Sequence, residues 1–318
     1  MTNPSVPKAT GYTRPSIPFN PGETLLNVPR ADGPTDLDIA LFGIPFDGHT
    51  IGRDGARLGP SQIRQQSFNI RATNRATGVS PRLIARIGDI GDSPLDIFDP
   101  IHSFELITAF CKSVVDAGAL PLAAGGDHGI ALAMLRAVGR RHGPVAVVHF
   151  DAHPDTMDDI LGNRYNHATP FRRATEEGLE DPTKHVMIGL RGTGSPGNEP
   201  YDWAAAQGMT VLDIDACFDL GSAGVVTKVR EVIGNHPVYV SLDVDGLDPA
   251  DMPGTGSPEP GGLRMRDMQR ILRGLRGMRF VGGDINEVSP PLDPSGYTAF
   301  NAAHLLFEML CLMSESRA

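Results

Sequence analysis

Three cysteines in 318 residues, Cys111, Cys217 and Cys311, are too few and too scattered for a disulfide framework or a thiolate metal site. Their apolar surroundings, such as "FEMLCLM", read as buried thiols of a reducing compartment. No apolar segment follows a basic start, and no run of about 20 uncharged apolar residues occurs. A membrane span is therefore not expected, and the reading places the protein in the cytoplasm. Positive charge is also scarce, with 28 Lys and Arg against 38 Asp and Glu, a net charge of −10. That balance argues against nucleic acid or an anionic membrane as partner and agrees with a small cationic substrate. The remaining composition, 40% hydrophobic and 21% charged, is that of an ordinary globular protein.

Residues 1–36 are rich in Pro, Gly, Asn and Thr and read as an irregular arm that packs on the body or on a neighbouring subunit. Residues 37–318 read as one domain. Short apolar runs ("DIALFGIPF", "LPLAAGG", "VAVVHF", "HVMIGL", "MTVLDI", "VYVSLDV", "MRFVGGDI") alternate with helix-period segments that end in Gly or His. This is the rhythm of βαβ units, and it predicts a three-layer α/β/α fold with a mostly parallel central sheet. The C-terminal "SGYTAFNAAHLLFEMLCLMSE" is apolar on more than one face, which fits a helix buried in the core or at a subunit contact.

In such sheets, chemistry gathers at the carboxyl ends of strands. Three ends are loaded: Asp127 and His128 after "LPLAAGG"; Asp151, His153 and Asp155 after "VAVVHF"; Asp243 and Asp245 in "VYVSLDVDGLDP". On an extended chain, Asp151, His153 and Asp155 alternate onto one face. So many acids converging without Lys or Arg nearby would repel one another and resist desolvation unless cations neutralise them. Four carboxylates (Asp151, Asp155, Asp243, Asp245) and two imidazoles (His128, His153) suit two divalent ions. Mn²⁺ is the first choice, with Ni²⁺ or Co²⁺ next.

"GGDHG", "DAHPD" and "SLDVDGLDP", in that order, resemble the ureohydrolases, the family of arginase, agmatinase and the guanidino-acid hydrolases. "GRDGARLGPSQIR" (52–64), "HATPFRRATEEG" (167–178), "PGTGSPEPGGL" (253–263) and "DINEVSPPLD" (284–293) extend the resemblance from about residue 38 to the C-terminus. The texture is nearest to agmatinase and guanidinobutyrase-type enzymes. The resemblance implies hydrolysis of a guanidino compound, agmatine or a guanidino acid such as 4-guanidinobutyrate, to urea and an amine. It implies that Asp151 and Asp243 bridge the ions, that His128 and Asp155 complete one shell, and that His153 and Asp245 complete the other. Asp155 would also orient the attacking hydroxide. Glu287 would take the planar guanidinium, and His167 would protonate the leaving amine. A homo-oligomer, hexamer or trimer, is likewise implied.

Three departures bear on substrate. Met157 stands where arginases usually carry an Asn facing the substrate α-carboxylate, so arginine is not the expected substrate. Met157 and Ile160 suggest an apolar pocket wall beside Asp158 and Asp159. Ala168 and Asp54 replace a usual Gly and Pro. Asp127 is expected to support the ligands by hydrogen bonds, His149 to be a core histidine with its bonds met, and His304 to pack within its helix; for His49 two readings stand equally, a place at the pocket mouth or no role. Free guanidine or a small N-substituted guanidine is an alternative substrate, and a non-catalytic subunit on the same fold is an alternative of another class. "GTGSPG" (192–197), with Asp213 and Asp215 about twenty residues on, imitates a dinucleotide fingerprint. Pro196 and the set-back of the next helix speak against that use.

Overall fold

The computed structural model describes residues 24–194 and 197–317. Eight strands form one sheet: β1 (Ile39–Gly43), β2 (Ile87–Asp92), β3 (Leu120–Ala124), β4 (Val145–Phe150), β5 (Glu180–Leu190), β6 (Thr210–Asp213), β7 (Val238–Asp243) and β8 (Phe280–Asn286). Their order is β2-β1-β3-β8-β7-β4-β5-β6, and every pairing is parallel. The described helices are α1 (Gly59–Gln66), α2 (Pro81–Ile84), α3 (Pro100–Asp116), α4 (Ile130–His142), α5 (Pro170–Glu176), α6 (Glu199–Ala206), α7 (Ile214–Ile233), α8 (Met265–Gly274) and α9 (Tyr297–Arg317).

Alternate residues of each strand feed two cores. Ala40, Phe42, Ala123, Val145, Val147 and Tyr239 pack under α3, α4 and α5. Ile39, Leu41, Leu122, Val148, Val240 and Ile285 pack under α7, α8 and α9. This gives the three layers, with both faces of a parallel sheet covered. Helix α9 is buried almost all round, from Thr298 to Ser314, as its two-sided apolar pattern requires. The seven apolar runs all become strands. The eighth, β2, was not legible because "IGDIGD" alternates Gly and Asp. It is an edge strand, where one neighbour suffices.

Residues 1–23 of the expected arm lie outside the described residues. From Thr24 on, the chain folds back onto the body. Leu25 and Leu26 are buried, and the Leu25 N–H donates to Asp89 Oδ2 at 2.7 Å. Cys111, Cys217 and Cys311 are unpaired and buried. Among the described residues, no helix is long and apolar enough to cross a membrane.

The four central strands, β3, β8, β7 and β4, are adjacent and all run the same way. Their carboxyl ends therefore open on one side. The segments after them begin at Gly125, Glu287, Val244 and Asp151.

Candidate metal centre

Strand β4 stops at Phe150, and the ligand-bearing segment that follows is not extended. Asp155 sits at φ +48°, a conformation unusual for a residue with a side chain. The expected alternation on one strand face is therefore replaced by a tight reversal. It delivers the Asp151, His153 and Asp155 side chains to the cluster from a loop rather than from a pleat. Glu287 has the same strained backbone, φ +63°, directly after β8. Such outliers persist where surrounding contacts hold them, and both lie beside the cluster. Two glycines are required by close approach. A Cβ at Gly126 would lie 1.7 Å from the Phe46 carbonyl oxygen, and one at Gly246 would lie 2.8 Å from the Asp151 nitrogen.

The side chains meet at short range. His128 Nδ1 lies 2.9 Å from Asp155 Oδ2, 3.0 Å from Asp151 Oδ2 and 3.3 Å from Asp243 Oδ2. His153 Nδ1 lies 3.1 Å from Asp245 Oδ2 and 3.4 Å from Asp151 Oδ1. Asp151 thus joins two halves, one oxygen to each. Among the described residues, no Lys or Arg ion-pairs with any of these four aspartates. Burial, then the Asp151 charge, pushes Asp245 up to about 7 and raises Asp155. Burial, then Asp245, raises Asp243 far above the usual range. Burial works against Asp151 too, but the imidazoles of His128, His149 and His153 around it overcome it and hold its carboxyl well below the usual value.

The donors fit a pair of divalent cations. His128 Nδ1 is buried without a good hydrogen-bond partner, although three carboxylate oxygens surround it. Its other nitrogen, Nε2, meets Ser241 Oγ at 2.9 Å. Ser241 itself donates to Asp284 Oδ1 at 2.6 Å, so Nε2 is the nitrogen that carries hydrogen. Nδ1 is then the nitrogen turned to three carboxylates, which overcome burial to raise His128 and favour a positive charge at that place, a proton in the metal-free site and a cation in a loaded one. Such outer hydrogen bonds are the usual way to orient an imidazole ligand. Tyr239 and Asn286 complete the hold on Asp284. This support was missed in the sequence, although "VYVSLD" alternates apolar residues with Tyr239, Ser241 and Asp243. His128, His149 and Asp151 form one group with donor atoms close enough for an ion, and Asp151, His153 and Asp245 form another.

Beside the cluster is an open cavity of about 1090 Å³. Its wall includes Met157, His167, Ala168, Tyr201, Ser257 and Glu287. Glu287 is buried, and its Oε1 accepts the His128 N–H at 2.9 Å and faces His167 Nδ1 at 3.4 Å. Burial lowers the affinity of His167 for a proton, but Glu287 outweighs it and lifts the group to about 9. Arg191 also lines the cavity, yet its guanidinium is spent on the backbone carbonyls of Gly189, Asp245, Gly246, Leu247 and Glu259. It braces the β7 loop.

Several expected wall residues lie elsewhere. Asp158 and Ile160 do not line the cavity. Asp158 is drawn outward by Arg173 (2.7 Å) and Arg164 (3.1 Å), and Ile160 closes a short turn with Asn163. His49 is buried rather than at the mouth, and burial pulls it down to about 4. Asp127 faces away from the cluster and accepts N–H bonds from His49 (2.8 Å) and Gly129 (3.0 Å). Asp54 is exposed, its carbonyl accepting the Ser289 hydroxyl. His304 packs edge-on to Phe300 within its helix. Ser195 and Pro196 of "GTGSPG" lie outside the described residues. Asp213 is a helix cap, accepting the Ala216 N–H at 2.8 Å.

A profile of the arginase family matches residues 37–311. The chain is 45% identical to a guanidinopropionase of Pseudomonas aeruginosa over 89% of its own length and 88% of that protein. It is 43% identical to a guanidinobutyrase of the same organism, covering 87% of this chain and 86% of that one. Among solved structures, proclavaminate amidinohydrolase from Streptomyces clavuligerus superposes with a TM-score of 0.88 at 38% identity, covering 92% of this chain and 97% of that one. The chain belongs to the arginase family.

Proposed function

We propose that this protein is a metal-dependent amidinohydrolase. It cleaves a linear guanidino compound without an α-amino acid head, agmatine or a guanidino acid such as 4-guanidinobutyrate, into urea and an amine. The names of its relatives agree: guanidinopropionase, guanidinobutyrase and, at 43% identity, a mitochondrial agmatinase of Gallus gallus. One observation carries the reading. Four buried carboxylates and two imidazoles converge with no Arg or Lys among the described residues to neutralise them, at the base of a cavity that also holds Glu287 and His167.

In this reading Asp151, Asp243, His128, Asp155, His153 and Asp245 hold two divalent ions, Mn²⁺ first. Such a pair would offset the carboxylate charge and would make a water in the site easier to deprotonate near neutral pH. Glu287 receives the guanidinium. Its Oε1 is fixed by the His128 N–H, while its Oε2 takes no hydrogen bond among the described residues and is left for the substrate. Asp155 orients the attacking water. His167 holds a proton at pH 7 beside Glu287, at the place where a leaving nitrogen needs one. The water gives up one proton as its oxygen bonds to the guanidinium carbon, one C–N bond breaks, and the amine departs with the proton of His167. The hydroxyl proton left on the new urea is then released, so that the two water protons restore His167 and leave the amine protonated. Of the residues expected to set specificity, Met157 and Ala168 lie in the wall, beside Glu287 and His167. We place the protein in a reducing compartment, supported by its three buried free thiols, and as a homo-oligomer, for which Ile97, Phe98 and Ile101 offer an exposed apolar surface.

The test is urea release from agmatine, 3-guanidinopropionate, 4-guanidinobutyrate, free guanidine and L-arginine by enzyme loaded with Mn²⁺ or with Ni²⁺. The expected result is turnover of one of the first three well above the others. Good turnover of L-arginine would overturn the reading of Met157, and best turnover of free guanidine would replace the substrate class.

A further inference from the structure

His149 lies beneath the metal centre, one residue before β4 ends, and is completely buried. Its Nε2 stands 2.8 Å from Asp151 Oδ2. An ionised carboxylate only accepts, so Nε2 carries the hydrogen. The ring's other nitrogen, Nδ1, is turned away from that carboxylate and is buried. That atom has no partner among the described residues.

His185, on β5, repeats the pattern. It is completely buried, its Nδ1 lies 2.8 Å from Glu180 Oε2, and its Nε2 is a second unpartnered nitrogen. Thr175 holds the other oxygen of Glu180. The two imidazole rings stand 5.6 Å apart between centroids, and Phe171 packs on both. With one hydrogen on each ring, at His149 Nε2 and at His185 Nδ1, the two remaining nitrogens are acceptors and cannot bond to each other. One water, with its two O–H groups, satisfies both, and polar buried spaces of this kind hold such waters.

Asp151 needs such support. Among the described residues it is the one carboxylate within 4.0 Å of both cluster imidazoles, Oδ2 toward His128 and Oδ1 toward His153. The final torsion of an aspartate is soft, so the chain must fix which oxygen faces which half. The His153 N–H holds Oδ1 at 2.6 Å. His149 holds Oδ2.

We propose that His149 is the positioning residue of Asp151, setting which carboxylate oxygen each half of the metal centre receives, and that His185 keeps His149 in the required tautomer through one shared buried water. This rests on the reading of Asp151 as a metal ligand. The chain Asp151–His149–water–His185–Glu180 then ties the metal centre to the far end of β5, where Glu180 opens the strand.

The test uses the full chain, stripped of metal and titrated with Mn²⁺ by calorimetry. His149→Gln keeps an N–H at the place of Nε2, whereas His149→Asn moves it to the place of Nδ1. The expected result is affinity within a few-fold of the parent for His149→Gln and a loss of about 10–100-fold for His149→Asn. His185→Phe, which keeps the ring packing, is expected to lose affinity in the same direction but less. Nitrogen NMR of the unmutated protein reads the tautomer directly, and Nε2–H with a hydrogen-bonded Nδ1 is expected. Parent-like affinity in His149→Asn, equal losses in both His149 variants, no loss in His185→Phe, or an Nδ1–H tautomer would overturn the proposal. Asp151→Asn separates the two layers: if it too binds two ions like the parent, the ligand reading itself has failed.

Discussion

Two sets of buried acids in this chain are held in opposite ways. Asp89 is completely buried and meets Arg64 at 3.0 Å. Glu308 is buried in α9 against Arg273 and accepts from Asn74 at 2.7 Å. Asp251 takes Arg264 at 2.8 Å. Each of these charges was neutralised within the chain as it folded. Asp151, Asp155, Asp243 and Asp245 are as deeply buried, yet they face imidazoles and one another. A fold that can place an arginine beside Asp89 gives these four none among the described residues. The difference marks where a ligand, rather than the protein, supplies the positive charge.

The largest break in the comparison comes from removing that charge. Chelation is expected to lower kcat/KM by about 10³-fold or more, restored by adding Mn²⁺ back, with urea release as the readout. The reciprocal experiment acts on the other population. Arg64→Ala leaves Asp89 buried and unpaired, which is expected to cost about 3 kcal/mol in denaturant unfolding while leaving metal stoichiometry unchanged. Loss of metal in that variant would mean that the two populations are not independent.

Glu287 belongs to neither group, because its partner is to be the substrate. Glu287→Gln keeps the acceptor for the His128 N–H and removes the charge. It is expected to lower kcat/KM by about 2 kcal/mol, some thirtyfold, largely through KM.

A smaller effect separates the populations by pH. Burial and Asp151 raise Asp245 from 3.8 to about 7. The metal-free folded state therefore keeps a proton that the unfolded chain gives up above 3.8, and this contribution to stability is lost as pH rises toward 7. Melting temperatures of metal-free protein between pH 4 and 7 are expected to fall with rising pH, and the gap to the Mn²⁺-loaded protein to widen. A constant gap would contradict the raised value. Asp251, lowered by its Arg264 hydrogen bond, runs the other way and weakens only as pH falls below its usual value. The smallest effect is at Met157. Met157→Asn is expected to change the preference among linear guanidino substrates by less than about 1.4 kcal/mol, a factor of ten, without making L-arginine a good substrate.

The same contrast explains what the sequence made legible. Site residues arrive on short segments after strands, so Asp127 to Gly129, Asp151 to Asp155 and Asp243 to Asp245 announce themselves as clusters. The ion pairs that stabilise the body join Arg64 to Asp89 and Arg273 to Glu308, partners remote in sequence with nothing local to mark them. The supporting shell fell between these cases. Ser241 and Asp284 lie on neighbouring strands, and only the register Ser241↔Asp284 brings them together. Asp158 misled for a related reason: it follows the ligands in sequence, but Arg173, carried on α5, draws it out of the cavity. The strained turn at Asp155 left no mark, because an aspartate in a loop gives no sign of positive φ.

The central claim is that the four unpaired aspartates are neutralised by two divalent ions. Elemental analysis of the full chain, incubated with Mn²⁺ and then freed of loose metal, tests it most directly. The account predicts two ions per chain in the parent and fewer in Asp151→Asn and in Asp243→Asn. Fewer than two ions in a parent that still releases urea at full rate, or two ions retained in both variants, would contradict it.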